Sequence, residues 1–152
     1  MNETIYIHYG HNKFDKDKFK PIKNVKSLGI KPNGGFWGCR KDANRSWFDW
    51  CIREDYEVDS LKKSFEFTIS KNAKILTIDN HKKLDKIPKR DDIDTSIVYM
   101  ALDFEKLSEG YDAIEVFISK DEQLYWDLYG WDCDSILIMN PDIIEEVRSS
   151  EN

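Results

Sequence analysis

The sequence predicts an α+β domain built on a mixed, mostly antiparallel β-sheet with short helices. Two observations carry this. Six short β-rich runs recur along the chain, and several of the links between them are too short for a crossover helix, which argues against a doubly wound parallel sheet. The helix-compatible segments gather mainly in the first two-thirds rather than alternating with strands. At 152 residues the chain is expected to form one domain over residues 1–152, with a core large enough to fold alone.

Thr4 to Tyr9 alternates and is rich in β-formers, which predicts the first strand. Residues 11–28 are lysine-rich and contain Pro21, as expected of an irregular loop with one helical turn. Lys31-Pro32-Asn33-Gly34 has turn chemistry: proline presets one dihedral and Asn or Gly takes the positive one. Phe36 to Cys39 follows as a second strand. Asp42 is placed to cap a helix running through Trp47, Trp50 and Cys51, whose spacing puts them on one face. Phe65 to Ile69 alternates strictly and Lys74 to Asp79 is again β-rich, giving strands three and four. Residues 80–94, charged and containing Pro88, predict a loop or a broken helix. Residues 95–107 are helix-compatible and Gly110 ends them. Ala113 to Ile118 and Ser135 to Met139 are the fifth and sixth strands. Asn140-Pro141 stops the last, and residues 143–147 form a short terminal helix or extension.

With 40% apolar and 13% aromatic residues the chain is globular rather than disordered. No run approaches membrane-span length, and Met1-Asn2-Glu3-Thr4 lacks a secretion signal's basic start. Cys39, Cys51 and Cys133 are odd in number and widely spaced, which disfavours a disulfide framework or a zinc site. A cytoplasmic monomer without a metal is the expectation. The net charge of −6 hides an asymmetry: residues 13–45 hold ten Lys/Arg against three acids, and residues 121–152 hold nine acids against Arg148 alone. Either these are two solvated faces, or the basic segment meets an anion such as a pyrophosphate or a nucleic-acid backbone.

The chemistry concentrates at two places. Gly34, Gly35 and Gly38 flank the aromatic pair Phe36-Trp37, and glycine weakens a strand unless something approaches its main chain closely. His8 interrupts the apolar run Ile5, Ile7, Tyr9. A histidine beside a glycine-lined aromatic strand suits a pocket for a flat polar ligand. The phosphate-loop signature, the dinucleotide glycine fingerprint and paired C-x-x-C motifs are absent, which disfavours kinase, P-loop ATPase and zinc-finger readings.

The order of these features resembles the ADP-ribosyltransferase fold, in the His-aromatic-acid branch that includes poly(ADP-ribose) polymerase catalytic domains and diphtheria-like toxins. His8-Tyr9-Gly10 looks like that family's His-Gly-(Ser/Thr) motif. Gly35-Phe36-Trp37-Gly38-Cys39 looks like its Gly-Ile-Tyr-Phe-Ala strand, and Asp42 to Cys51 resembles the helix after it. Asp134-Ser135-Ile136-Leu137-Ile138-Met139 looks like the last strand, where the family carries a catalytic Glu before an apolar run.

The resemblance implies a split β-sheet and an NAD-dependent mono-ADP-ribosyltransferase, a transferase of the toxin, defence or phage-effector kind. It would break the nicotinamide–ribose bond and pass ADP-ribose to a macromolecular acceptor, protein or nucleic acid. His8, Trp37 and Asp134 would be catalytic; His8, Tyr9, Gly10, Gly35, Phe36, Trp37, Trp47 and Trp50 would bind NAD. His8 would meet ribose hydroxyls, the Tyr9 main chain would grip the carboxamide, and Trp37 would stack on nicotinamide. The acid stays open among Asp134, Asp132 and Glu115, with Asp134 favoured because Asn140-Pro141-Asp142-Ile143 continues the match.

Each residue also has a structural reading: His8 as a satisfied strand histidine, the tryptophans as core aromatics, Asp134 as a turn residue. Cys51 reads as core, since no basic partner stands beside it in sequence. Two other functions fit the residues. A metal-independent ribonuclease toxin would use His8 or His11 with the lysine-rich loop. A small non-enzymatic inhibitor would use the acidic C-terminal third as a binding face.

Overall fold

A computed structural model describes residues 3–25, 31–92, 101–128 and 130–149. Seven strands form one mixed sheet in the order β4-β5-β6-β2-β1-β3-β7. They are β1 (Tyr6–Tyr9), β2 (Phe36–Arg40), β3 (Ser64–Ile69), β4 (Ile75–Ile78), β5 (Ala113–Val116), β6 (Ser135–Ile138) and β7 (Ile144–Ser149). Only β4 and β5 run parallel; every other neighbouring pair is antiparallel. The parallel pair is joined by the long stretch 79–112, as a parallel connection requires.

The α-helices are short: α1 (Trp47–Glu54), α2 (Phe104–Leu107) and α3 (Gln123–Asp127). The cap of α1 is Ser46, whose hydroxyl accepts from Asp49 N at 3.1 Å, rather than Asp42. A serine directly before the first helical residue outcompetes an aspartate several residues upstream, which lies too far away to reach the first turn. Residues 143–147, expected as a short terminal helix or extension, take the extended form from Ile144 onward as strand β7, because β3 has an unpaired edge that Ile144–Ser149 fills. The sequence offers no signal for helix α3, and residues 95–100 of the expected helical segment 95–107 lie outside the described residues. No helix among the described residues is long and apolar enough to cross a membrane.

Side chains alternate across the sheet, and the register sorts them. One face carries Ile114, Val116, Leu137 and Trp131, packed against Leu84, Phe104 and Leu124. The other carries Tyr6, Phe65, Phe67, Ala113, Ile136 and Ile138. Residues 139–143 must bring the chain from β6 to β7, four inter-strand steps away in the sheet order. Four steps span about 19 Å at the usual strand spacing, and part of this link is a compact 3-10 turn at Pro141–Ile143. A flat sheet would leave it strained, so the sheet curves around the second face. That curvature gathers Phe67 of β3 and Ile138 of β6 into one cluster.

Gly38 makes the closure possible: a Cβ there would stand 3.0 Å from the Phe67 ring and 3.2 Å from the Ile7 carbonyl. Gly35, at φ +65°, would drive a Cβ to 2.7 Å from the Ile138 carbonyl. The protein's own chain thus accounts for the close approach at the glycines flanking Trp37, where the sequence alone suggests a ligand against the main chain.

Candidate functional site

Strands β1 and β2 pair only through Tyr6–Arg40 and Ile7–Cys39. Beyond that point a cleft of about 350 Å³ opens over the sheet. Its walls come from β1, from Trp37 of β2, from Trp47 at the start of α1, and from Trp131 and Asp132 ahead of β6. The three segments that carry the sequence resemblance, the outer two about 125 residues apart, thus lie on or beside the adjacent strands β1, β2 and β6.

The cleft is aromatic. Trp37 meets Trp131 edge-on at 4.7 Å between ring centroids, and the Lys31 ammonium lies 5.5 Å from the Trp37 centroid. An ammonium over an indole face marks a position favourable to cations. Trp47 stacks on Trp50 at 5.1 Å, and Tyr56 meets both rings edge-on, which holds Trp47 in place. The indole N–H of Trp131 is the one buried side-chain polar atom without a hydrogen-bond partner among the described residues. A buried donor left unmet costs roughly 1–3 kcal/mol, so an acceptor brought to it would be favoured.

His8 stands at the back of the cleft. Its ring stacks on Phe65 at 5.0 Å, and its Nδ1 lies 2.6 Å from the Trp37 carbonyl oxygen. A carbonyl only accepts, so Nδ1 carries the proton. Nε2 lies 2.9 Å from His11 Nδ1, which makes the two imidazoles a hydrogen-bonded pair. Burial pulls the His8 pKa down, partly opposed by the bond to the Trp37 carbonyl.

The structure brings His8, Tyr9, Gly10, Trp37 and Trp47 to the cleft and leaves other sequence candidates outside it. Phe36 and Gly35 lie on the other side of β2 in a second groove. Trp50 supports Trp47 from behind. Asp134 is 5% exposed and does not line the cleft. Its carboxylate accepts from Ser119 N at 2.8 Å and from Ser119 Oγ at 2.5 Å, tying the start of β6 to the turn after β5. Glu115 is buried in an ion pair with Arg40, at 2.9 and 3.1 Å, and receives Tyr6 O–H at 3.5 Å. The hydrogen-bonded Glu115 carboxylate, with burial opposing it, raises the Arg40 pKa further, and burial beside Glu115 pushes the Tyr6 hydroxyl up to about 12.

The carboxylates that do reach the cleft are Asp132 and Glu57. Asp132 was among the sequence candidates. Glu57 and Ser60 were missed, since they follow α1 in a segment with no periodic or motif signal; the left-handed φ of Glu57, +43°, is visible only in the folded chain. Cys39 and Cys133 lie under the cleft floor as protonated thiols: burial lifts Cys39 to about 11 and Cys133 higher still. Among the described residues no group of three or more His, Cys, Asp or Glu side chains is gathered to hold a metal ion.

The fold and cleft define an α+β protein with a mixed seven-stranded sheet and an aromatic, carboxylate-edged pocket where two central strands part. No family model matches the chain, and no curated protein or solved structure matches it.

Proposed function

We propose that the chain is an NAD-dependent mono-ADP-ribosyltransferase whose NAD site is the cleft over β1, β2 and β6. The convergence of His8-Tyr9-Gly10 at β1, Trp37 on β2 and Asp132 ahead of β6 around one pocket carries this reading. The residues suit the ligand: tryptophan faces for a planar cation, and a carboxylate at the rim. The volume falls within the range of small-molecule sites.

When bound, NAD supplies the ADP-ribosyl group, the bond from the pyridinium nitrogen to ribose breaking with both electrons kept by nicotinamide. Trp37 and Trp47 hold the departing ring. Lys31 leaves the Trp37 face to admit it. Asp132, and not Asp134, opposes the positive charge that grows on the ribose side, because Asp134 is committed to Ser119. His8 orients ribose hydroxyls through Nε2 once His11 Nδ1 releases its hydrogen bond to it. The acceptor then gives an electron pair to the ribose carbon and loses its proton to a carboxylate at the rim, with Glu57 placed there for it.

The experiment is incubation with NAD labelled in the adenylate half, alone and with a whole-cell extract, followed by separate recovery of protein and nucleic acid. Label in either fraction supports the transferase, and its absence together with unchanged tryptophan fluorescence at millimolar NAD overturns it. The hydrogen-bonded His8–His11 pair favours one second reading, a metal-independent ribonuclease. That reading requires RNA to be cleaved without NAD.

A further inference from the structure

On the opposite side of β2 from the cleft, a groove of about 570 Å³ runs past His8 and His11. Its floor is aromatic. Phe14 and Phe36 are half-buried, 5.2 Å apart, and Phe36 rests on the buried Phe65 at 6.1 Å. Its rim is basic, with Lys13 and Lys18 from the loop after β1 and Lys63 from the residue before β3. All three are exposed, and none has an ion-pair partner among the described residues. The one acid in the lining, Asp15, uses its carboxylate to accept from the Asp17 backbone N–H at 3.0 Å. His8 and Gly10 border both this groove and the cleft, so the two spaces adjoin.

We propose that this groove binds a single-stranded nucleic-acid segment, with phosphates at Lys13, Lys18 and Lys63 and an unpaired base on the Phe14–Phe36 platform. Uncompensated lysines around an aromatic floor match a polyanion that also carries flat apolar faces. An acidic peptide would satisfy the lysines and leave the rings bare. A duplex would offer phosphates but keep its base faces stacked inside. The basic character of residues 13–45 thereby acquires a location, since Lys13 and Lys18 stand on the groove while Lys31 belongs to the cleft. As the seat of the acceptor, the groove rests on the transferase reading; as a binding site it does not.

The test measures fluorescence anisotropy of labelled oligothymidylate and oligouridylate of about a dozen nucleotides, without NAD, with a matched duplex and polyglutamate as competitors. A single strand of either sugar should bind, and both competitors should displace it poorly. Lys63→Glu should weaken binding several-fold and lower the salt slope by about 0.7, the value for one phosphate contact on a single strand. Phe14→Leu should weaken it about five-fold or more with an unchanged slope, since it removes stacking and keeps the apolar contact. Melting curves confirm that both variants fold. Absence of binding at low salt, equal displacement by duplex or polyglutamate, or full affinity in a folded Lys13→Glu/Lys63→Glu variant would each overturn the proposal. Because NAD is absent, strand binding without transfer overturns the transferase alone, and transfer without strand binding overturns the groove alone.

Discussion

The His8 imidazole and the Trp37 carbonyl are joined by a hydrogen bond of 2.6 Å just past the last paired residues of β1 and β2. A side chain thus takes over from the ladder where the strands part. It fixes the His8 tautomer, leaves Nε2 to His11, and holds open the edge on which the cleft is built.

That burial makes His8 a source of pH-dependent stability. Its folded pKa lies below the unfolded value near 6.5, so the folded state prefers the neutral ring. The contribution is complete above about pH 6.5 and is lost as pH falls through the lower folded value. The hydrogen-bonded carboxylates Asp79, Asp112 and Asp121, also depressed, lose theirs only at more acidic pH, below their unfolded values. Urea midpoints should therefore fall as the pH drops below about 6.5 in the native protein, before the carboxylates begin to titrate. His8→Asn, which keeps a donor for the Trp37 carbonyl, should flatten that window. A midpoint independent of pH there would contradict the neutral assignment.

The two aspartates before β6 should separate stability from activity. Asp134→Ala strands the Ser119 N–H and should cost about 1–3 kcal/mol in chemical denaturation, with NAD affinity unchanged in the folded fraction. Asp132→Asn should leave the melting temperature in place and abolish label transfer, as expected of a group that acts mainly in the transition state. Transfer surviving in Asp132→Asn would remove that residue from the proposed chemistry.

Glu115→Ala should destabilise the fold without touching the cleft. Breaking a fully buried pair costs about 3–5 kcal/mol, but the Arg40 side chain is 37% exposed and water can rehydrate it, so about 2–3 kcal/mol is expected. Denaturant midpoints measure this directly. NAD binding lost while the midpoint stays put would instead place Glu115 in the site.

Trp37 and Trp50 should respond differently to NAD. Trp37→Ala removes a ring face on the cleft and should weaken NAD binding by about 1–2 kcal/mol, the scale of a desolvated cation–aromatic contact. Trp37→Phe should recover part of it. Trp50→Leu removes the support behind Trp47 and should reduce affinity less. Fluorescence quenching and calorimetry report both effects.

The three cysteines should be silent in the native protein. All are buried, and burial raises each thiol pKa, Cys39 to about 11. A colorimetric thiol reagent at pH 8 should titrate none within minutes and all three after denaturation. Rapid native labelling of a cleft variant would show that Cys39 or Cys133 becomes reachable.

Local signals located much of this molecule. The alternation in Phe65–Ile69 and the β-rich runs at 74–79, 113–118 and 135–139 each mark a strand, though the strands of those three runs are themselves shorter, at 75–78, 113–116 and 135–138. His8 and Trp37 were legible because a histidine in an apolar run and a tryptophan among glycines are both locally unusual. Ile144–Ser149 was not legible as a strand, because its pairing depends on the free edge of β3, more than seventy residues earlier. Glu57 carried no signal, and Asp134 carried a misleading one: an acid before an apolar strand has the same spelling whether it faces a cleft or a serine.

The sequence by itself determined the α+β class, the strand positions and the residue types available for chemistry, since these follow from short-range periodicity and side-chain identity. Only the tertiary structure decided which face each of those residues occupies. Alternation puts neighbouring side chains on opposite sides of the sheet, so Phe36 and Trp37 line separate spaces. The strand order then brings Asp132 to the cleft, while the Ser119 turn withdraws Asp134 from it. Such choices rest on contacts between distant segments, which no local pattern encodes.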